Sequence, residues 1–402
     1  MRALQSLIRR SPGFYASLAA LAMLAAAASA APAEGGTAAT GQPDTYTFGL
    51  ALPQTGNDAP YGKDQTTWTG YAIEEINKAG GVGGKKLAMI VEDSQSDPKR
   101  GIAAFRKLTS IDKVPLVITA WSSVVVAIAP IAEREKVVEL SVGATSPKIR
   151  TAGKFTVSSY PLGDVDMPFL ARFALEELKL KKVAVIYINN DTGTPSRVFI
   201  NAFKKDGGAI AADEAHEPGA LDYSAQVAKI KATNPDGILI YSLTNESPRI
   251  AKQFCDAGLN KIPFLSYQAI SNPELIKQAG IECSNNVYYT VKSPPLTGAK
   301  VREVEQRFRK EAGRDVNGLD GAAQLYDAVY FIKAIIEYTQ KNNLPYTGES
   351  LKKAYESIKT FDRPLTGTIV LDHDNMAVAP ITVYKTTNGK FEPFKTYKQA
   401  AQ

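Results

Sequence analysis

The chain has 402 residues, 22% of them charged and 44% hydrophobic, with a formal net charge of +6. Three of those charges are arginines within residues 1–30, so the remainder carries a modest +3, with no Lys/Arg run interleaved with aromatics; this argues against nucleic acid as a partner. Two histidines far apart in sequence, without metal-ligand spacing, and two cysteines without a nearby histidine argue against a metal centre or a nucleophile–base pair.

Taken in chain order, Arg2, Arg9 and Arg10 flank an Ala/Leu-rich, almost uncharged run from Phe14 to Ala27, and Ala28-Ser29-Ala30 has the small-x-small form of a cleavage site. The pattern predicts a signal peptide over residues 1–30, cleaved after Ala30, that exports the remainder to a periplasm. The alternative is an uncleaved anchor, against which stand the shortness of the run and its Ala content. Residues 31–44, poor in apolar side chains, read as a flexible leader. About 355 residues follow, enough for two domains.

Short β-branched runs then alternate with helical stretches. The runs are Tyr46–Leu52, Leu87–Glu92, Leu116–Thr119, Val137–Leu140, Val183–Ile188, Ile238–Tyr241, Phe264–Tyr267 and Val287–Thr290. Between them lie helical segments such as Thr66–Lys78, Lys99–Ile111, Val124–Arg134, Met167–Leu178, Ser196–Lys205, Tyr223–Ala232 and Pro248–Ala257. Most runs are continuously apolar, as strands covered on both faces are, and the alternation predicts an α/β fold of doubly wound parallel sheets. The repetition stops at Leu140 and restarts after Thr145–Asp166, which indicates two sheets. Val301–Ala312 and Ala322–Gln340 follow as helices with no strand between them. The runs Gly367–Leu371 and Pro380–Tyr384, separated by Asp372-His373-Asp374-Asn375, read as an antiparallel ending. In such a protein the ligand is expected in the cleft between the lobes, beyond the carboxyl ends of the strands.

Enzyme signatures are scarce. His216 and His373 read as solvent-facing or turn histidines, and neither a Gly-x-Ser-x-Gly elbow nor an HExxH helix occurs. No catalysis, cofactor or metal is expected. Gly80-Gly81-Val82-Gly83-Gly84-Lys85 follows a helix and enters a strand, so it reads as a helix stop and tight turn rather than a phosphate loop. Cys255 and Cys283 are expected to pair in an oxidising compartment, closing 27 intervening residues, a constraint of about 3 kcal/mol. Two unpaired buried thiols are the alternative.

The stretch Ile76-Asn77-Lys78-Ala79-Gly80-Gly81-Val82-Gly83-Gly84-Lys85-Lys86-Leu87, followed by Glu92-Asp93-Ser94-Gln95-Ser96-Asp97-Pro98, resembles the Leu/Ile/Val-binding protein family of periplasmic receptors. Phe48-Gly49-Leu50, Thr55-Gly56, Tyr61-Gly62, Trp121-Ser122-Ser123 and Gly143-Ala144-Thr145-Ser146-Pro147 match as well. The resemblance implies two Rossmann-like lobes joined by three crossovers, the type I periplasmic binding fold. It places lobe one at 45–162 plus 291–363 and lobe two at 163–290 plus 364–398. It also implies a small-molecule carboxylate ligand and, as partners, the permease subunits of an ABC transporter in the inner membrane. A ligand sensor signalling to a separate regulator is the alternative function.

The resemblance places the ligand carboxylate at the helix that starts at Ser122-Ser123. Free N–H groups, the positive helix end and serine hydroxyls suit an anion there, although either serine is equally a helix cap. Gly143, Ala144 and Thr145 are implied to face the ligand at the end of the next strand, with Tyr61, in the first strand–helix loop, against its apolar part. Trp121 is either an aromatic wall or a packed core residue. In the second lobe the pattern departs from the family's: Gln268 stands where amino-acid binders carry an acid for the ligand ammonium, and Thr192 and Leu243-Thr244 stand near positions often held by tyrosine. Asp164 is either a substitute counter-charge or a helix cap. The carboxylate half of the site thus looks retained and the ammonium half altered, so the ligand is expected to be an amino acid or an amine-free aromatic or aliphatic acid, with a standard branched-chain amino acid disfavoured.

Overall fold

The computed structural model describes residues 44–397. The expected signal peptide and all but the last residue of the expected leader lie outside the described residues. Among the described residues, no helix is long and apolar enough to cross a membrane.

The chain begins with β1 (Thr45–Leu52), α1 (Ala59–Lys78), β2 (Lys86–Asp93), α2 (Pro98–Arg106), β3 (Leu116–Thr119), α3 (Ser122–Glu135), β4 (Val138–Ser141) and β5 (Thr156–Ser158). Its five strands form a parallel sheet in the order β2-β1-β3-β4-β5. It then crosses to α4 (Gly163–Glu176), β6 (Lys182–Ile188), α5 (Pro195–Lys205), β7 (Ala209–His216), α6 (Ser224–Ala232), β8 (Gly237–Tyr241), α7 (Ser247–Asp256), β9 (Phe264–Tyr267), α8 (Pro273–Ser284) and β10 (Val287–Val291). Last come α9 (Ala299–Ala312), α10 (Leu319–Lys341), α11 (Gly348–Ile358), β11 (Thr360–Phe361), β12 (Ile369–Leu371), β13 (Ala377–Val378), β14 (Ile381–Thr387) and β15 (Lys390–Tyr397). The second sheet runs β15-β14-β10-β9-β8-β6-β7, parallel except for β14 and β15.

Each sheet starts one strand in from its parallel edge, steps outward, then reverses: β1 to β2 to β3, and β6 to β7 to β8. Such a reversal opens a crevice at the carboxyl ends of the strands. Every residue of β3 and β8 is buried, because helices cover both faces of each sheet. In β8, Leu239 and Tyr241 enter a cluster with Phe173, Phe199 and Phe203, while Ile238 and Ile240 enter another with Phe254, Phe264 and Leu275. The period of two in strand side chains thus feeds two half-cores. The first sheet instead shares one continuous core with α9, α10 and α11, through residues such as Trp68, Phe105, Phe308, Phe331 and Tyr355.

The ending differs from the expectation. The two late β runs do not pair with each other: β12 joins β11 and β13 in a small antiparallel sheet, whereas β14 joins β10 and β15. Leu365, Ile369, Leu371, Ala377 and Ala379, which fall on the second-lobe side of the expected boundary at 363/364, pack in the first core, next to the close Phe331–Phe361 ring pair at 4.1 Å. The chain enters the second sheet only at β14.

Three local features matter for the site. Helix α1 starts at Ala59, with Pro60 in its first turn, so Tyr61 is helical rather than in a loop. Gly62 is needed there, because a Cβ would stand 1.9 Å from the carbonyl oxygen of Pro53. The Gly80–Lys85 segment is a turn between α1 and β2, in which Gly81 has φ 74° and a Cβ would meet the Lys85 carbonyl at 2.1 Å. Cys255 near the end of α7 and Cys283 near the end of α8 form a disulfide, with a Cα–Cα distance of 5.5 Å.

Candidate functional site

A cavity of about 690 Å³, solvent at its mouth included, lies beyond the carboxyl ends of β3, β4, β8 and β9. Tyr61, Gln65, Trp121, Ser122, Gly143, Thr145, Gly318, Asp320 and Gly321 line it from the first lobe; Thr192, Leu243, Thr244, Tyr267, Gln268 and Ser271 line it from the second.

The first-lobe wall is an array of donors. Trp121, just before α3, has φ 63° and ψ 118°, a strained backbone for a bulky residue. Trp121 is the capping residue, and its carbonyl accepts from the amides of Val124 and Val125, which leaves the N–H groups of Ser122 and Ser123 without an intrahelical acceptor. Ser122 is therefore not a helix cap. Its Oγ accepts from the amides of Thr145 (3.0 Å) and Ser146 (3.1 Å), which pins the loop after β4. Thr145 Oγ1 accepts from Tyr241 Oη across the cleft at 2.9 Å. Ser122 has both lone pairs engaged and Thr145 one, and each hydroxyl keeps its own O–H to donate.

The second-lobe wall is uncharged, and Tyr267 is its one aromatic lining residue among those described. Tyr241 and Tyr267 stack at 4.1 Å with 6° between their planes, and Tyr267 Oη donates to the Ser242 carbonyl. Behind Gln268 lies Lys292, fully buried, 3.4 Å from Gln268 Oε1 and ion-paired with the equally buried Asp166 at 3.1 Å. The lobes touch around the cavity through Tyr61 Oη and the Thr244 carbonyl (3.5 Å), Ser146 and Thr194 (2.9 Å), and Lys148 and Asp191 (2.7 Å). Asp58, just ahead of α1, is buried near Thr244 and Trp121, and this burial pushes its carboxyl up to about 6.

Of the sequence-derived candidates, the structure brings Tyr61, Trp121, Ser122, Gly143, Thr145, Thr192 and Gln268 to one cavity. Ser123 lines a separate surface hollow with Lys148 and Arg197. Ala144 is buried against Ile149 and Leu162. Asp164 lies in the first turn of α4, paired with Arg150 at 3.0 Å, and is neither a cavity residue nor the capping residue. His216 departs from the solvent-facing or turn expectation: it is 2% exposed, its Nε2 lies 2.9 Å from Ser242 Oγ, and Ser242 donates to Glu246. Ser242 itself is fully buried and does not line the cavity. Sequence reasoning missed Gln65, Tyr267 and Asp320. For Asp320 a signal existed: Asn317-Gly318-Leu319-Asp320 is a glycine turn followed by an acid in the first turn of α10.

Residues 45–390 match the profile of the periplasmic binding protein family, and the chain belongs to that family. It is 28% identical over 332 residues to the leucine-, isoleucine-, valine-, threonine- and alanine-binding protein of Pseudomonas aeruginosa, covering 82% of this chain and 86% of that one. The isoleucine complex of the branched-chain amino acid binding protein LivJ from Streptococcus pneumoniae superposes with a TM-score of 0.78 at 23% identity, over 88% of this chain and all of that one. A solute-binding protein of Rhodopseudomonas palustris in complex with 3,4-dihydroxybenzoic acid superposes with a TM-score of 0.77 at 22% identity, over 89% and 98% of the two chains. The fold is the type I periplasmic binding fold, two Rossmann-like lobes joined by three crossovers.

Proposed function

We propose that this chain is the non-catalytic, periplasmic receptor of an ABC importer. It closes its lobes on a small carboxylate-bearing molecule, an amino acid or an aromatic or aliphatic acid, and delivers it to permease subunits in the inner membrane. One observation carries the reading. Ser122 and Thr145 each present a free O–H beside the open N-terminus of α3 at the wall of one cavity. Donors converging at a positive helix end suit a carboxylate and offer nothing to a cation. The relatives that bind amino acids and the structural neighbour that holds an aromatic acid support the same class.

The test is isothermal titration of ligand-free protein with a panel of amino acids and aromatic and aliphatic acids, each beside its carboxamide. Binding is expected only for the acids. Thr145→Val removes one donor to the charged group and leaves Tyr241 Oη without its acceptor, so affinity falls by about 10- to 100-fold. Carboxamides that bind as tightly as the acids would sink the reading.

A further inference from the structure

One carboxylate lines the cavity. Asp320 is 5% exposed, its Oδ2 accepts from Tyr160 Oη at 3.0 Å, and its Oδ1 is buried with no hydrogen-bond donor among the described residues. The Gln324 amide, one turn further along α10, lies close enough to favour the charged form of Asp320, but its Nε2 makes no hydrogen bond with that carboxylate. Among the described residues that line the cavity there is no Lys, Arg or His.

The buried charges behind this wall do not balance. Lys292 is ion-paired with Asp166. Arg363 faces Asp327, whose oxygens accept from the amides of Leu365 and Thr366. Asp320 feels both cations but is bonded to neither, and all five groups are more than nine-tenths buried. Three carboxylates against two cations leave one negative charge without a counter-charge, and it stands at the cavity edge. A buried charge in that position is costly until a partner arrives. Burial accordingly pushes the Asp320 carboxyl up from its ordinary range.

The geometry points to Asp320 as the specificity-determining residue of the cavity: its free oxygen takes a protonated nitrogen of the ligand, so the ligand is a zwitterion rather than an amine-free acid. This rests on the carboxylate reading of the same cavity. The ligand supplies the negative group to Ser122 and Thr145 and the positive group to Asp320. The counter-charge missing at Gln268 in the second lobe is thereby supplied by the first lobe, from the start of α10.

The test compares acids that differ only by the amine: L-leucine with 4-methylpentanoate, and L-phenylalanine with 3-phenylpropanoate, together with 4-aminomethylbenzoate and 4-methylbenzoate. Thermal shift and titration are read on the ligand-stripped chain and on Asp320→Asn. Wild type is expected to favour the amine-bearing member of whichever pair fits by roughly tenfold or more. Asp320→Asn is expected to erase or invert that preference. The ligand-free melting temperature of the variant should hold or rise, because an uncompensated buried charge is gone. The proposal is overturned if amine-free acids bind wild type as tightly as their partners, or if Asp320→Asn lowers the ligand-free melting temperature and leaves the preference intact, the mark of a structural acid. The carboxylate reading survives both of those results. No binding by any of the six acids would count against that reading itself and take this proposal with it.

Discussion

The two walls of the cavity are built from different materials. The first lobe presents directed donors, Ser122, Thr145 and the open end of α3, and one buried acid, Asp320. The second lobe presents Tyr267, backed by the buried Tyr241, and neutral groups such as Thr192 and Gln268, with the nearby Lys292 already engaged by Asp166. A lobe that carries the charged contacts orients a ligand, whereas a lobe that carries apolar area and backbone carbonyls closes over it. The cores differ in the same direction. The first lobe has one continuous core shared with three late helices, whereas the second has two half-cores and a disulfide. Stability and ligand orientation should therefore be separable by lobe.

The largest expected effect tests that separation. Cys255 and Cys283 are 28 residues apart and tie α7 to α8 on one side of the second sheet. The double variant Cys255→Ser/Cys283→Ser should lower stability by about 3 kcal/mol, the loop-closure entropy of such a crosslink. Denaturant unfolding followed by fluorescence measures it. Affinity for the ligand, extrapolated to native conditions, should change far less than with Thr145→Val. A loss of affinity equal to that of Thr145→Val would show that the second lobe orients the ligand after all.

How much of this was legible beforehand follows physical lines. Most strands were readable because buried parallel strands are continuous apolar runs. Five were not: β5, β11 and β13 are only three, two and two residues long, β7, with burial mixed along Ala209–His216, is an edge strand, and β15 is a mostly exposed edge strand. Of the first wall, Ser122 was readable because a serine pair at the start of a helix has a local logic, whereas Thr145 followed only from the family resemblance. The acid was not readable. Asp320 lies 175 residues beyond Thr145 and reaches the cavity only because α10 packs on α1, where Tyr61 and Gln65 stand. Asp164 was the plausible local choice, but Arg150, which also bonds Asp372 and Asp374, holds it away from the cavity. His216 was misjudged for the same reason: its partners Ser242 and Glu246 are brought to it by β8 and the start of α7.

A second, smaller effect belongs to the first lobe alone. Glu139 on β4 is fully buried and accepts from Thr119 and Thr156 at 2.9 Å each. Burial pushes its carboxyl from 4.5 up to about 8. The folded group keeps its proton where the unfolded one has lost it, so its contribution is whole below pH 4.5 and drains as pH rises to about 8. Glu139→Gln should therefore melt like wild type near pH 4.5 and above it at pH 8.5, by a few degrees at most for a chain of this size. Melting curves at the two pH values decide the matter, and a variant less stable than wild type at pH 8.5 would mean that the ionised group is stabilising.

The smallest effect tests whether closure, as distinct from orientation, is shared among many weak contacts. Tyr61 Oη reaches the Thr244 carbonyl at only 3.5 Å, and the lobes are independently tied by Ser146–Thr194 and Lys148–Asp191. Tyr61→Phe keeps the ring at the cavity wall and loses one long hydrogen bond, worth at most about 1 kcal/mol, or roughly fivefold in affinity. The ligand-bound radius of gyration from solution scattering should match wild type. If Tyr61→Phe instead weakened binding as much as Thr145→Val, the hydroxyl would be meeting the ligand rather than Thr244. The first lobe would then hold its ligand from the α1 side as well as from α3, and the division of labour between the walls would move from lobes to individual helices.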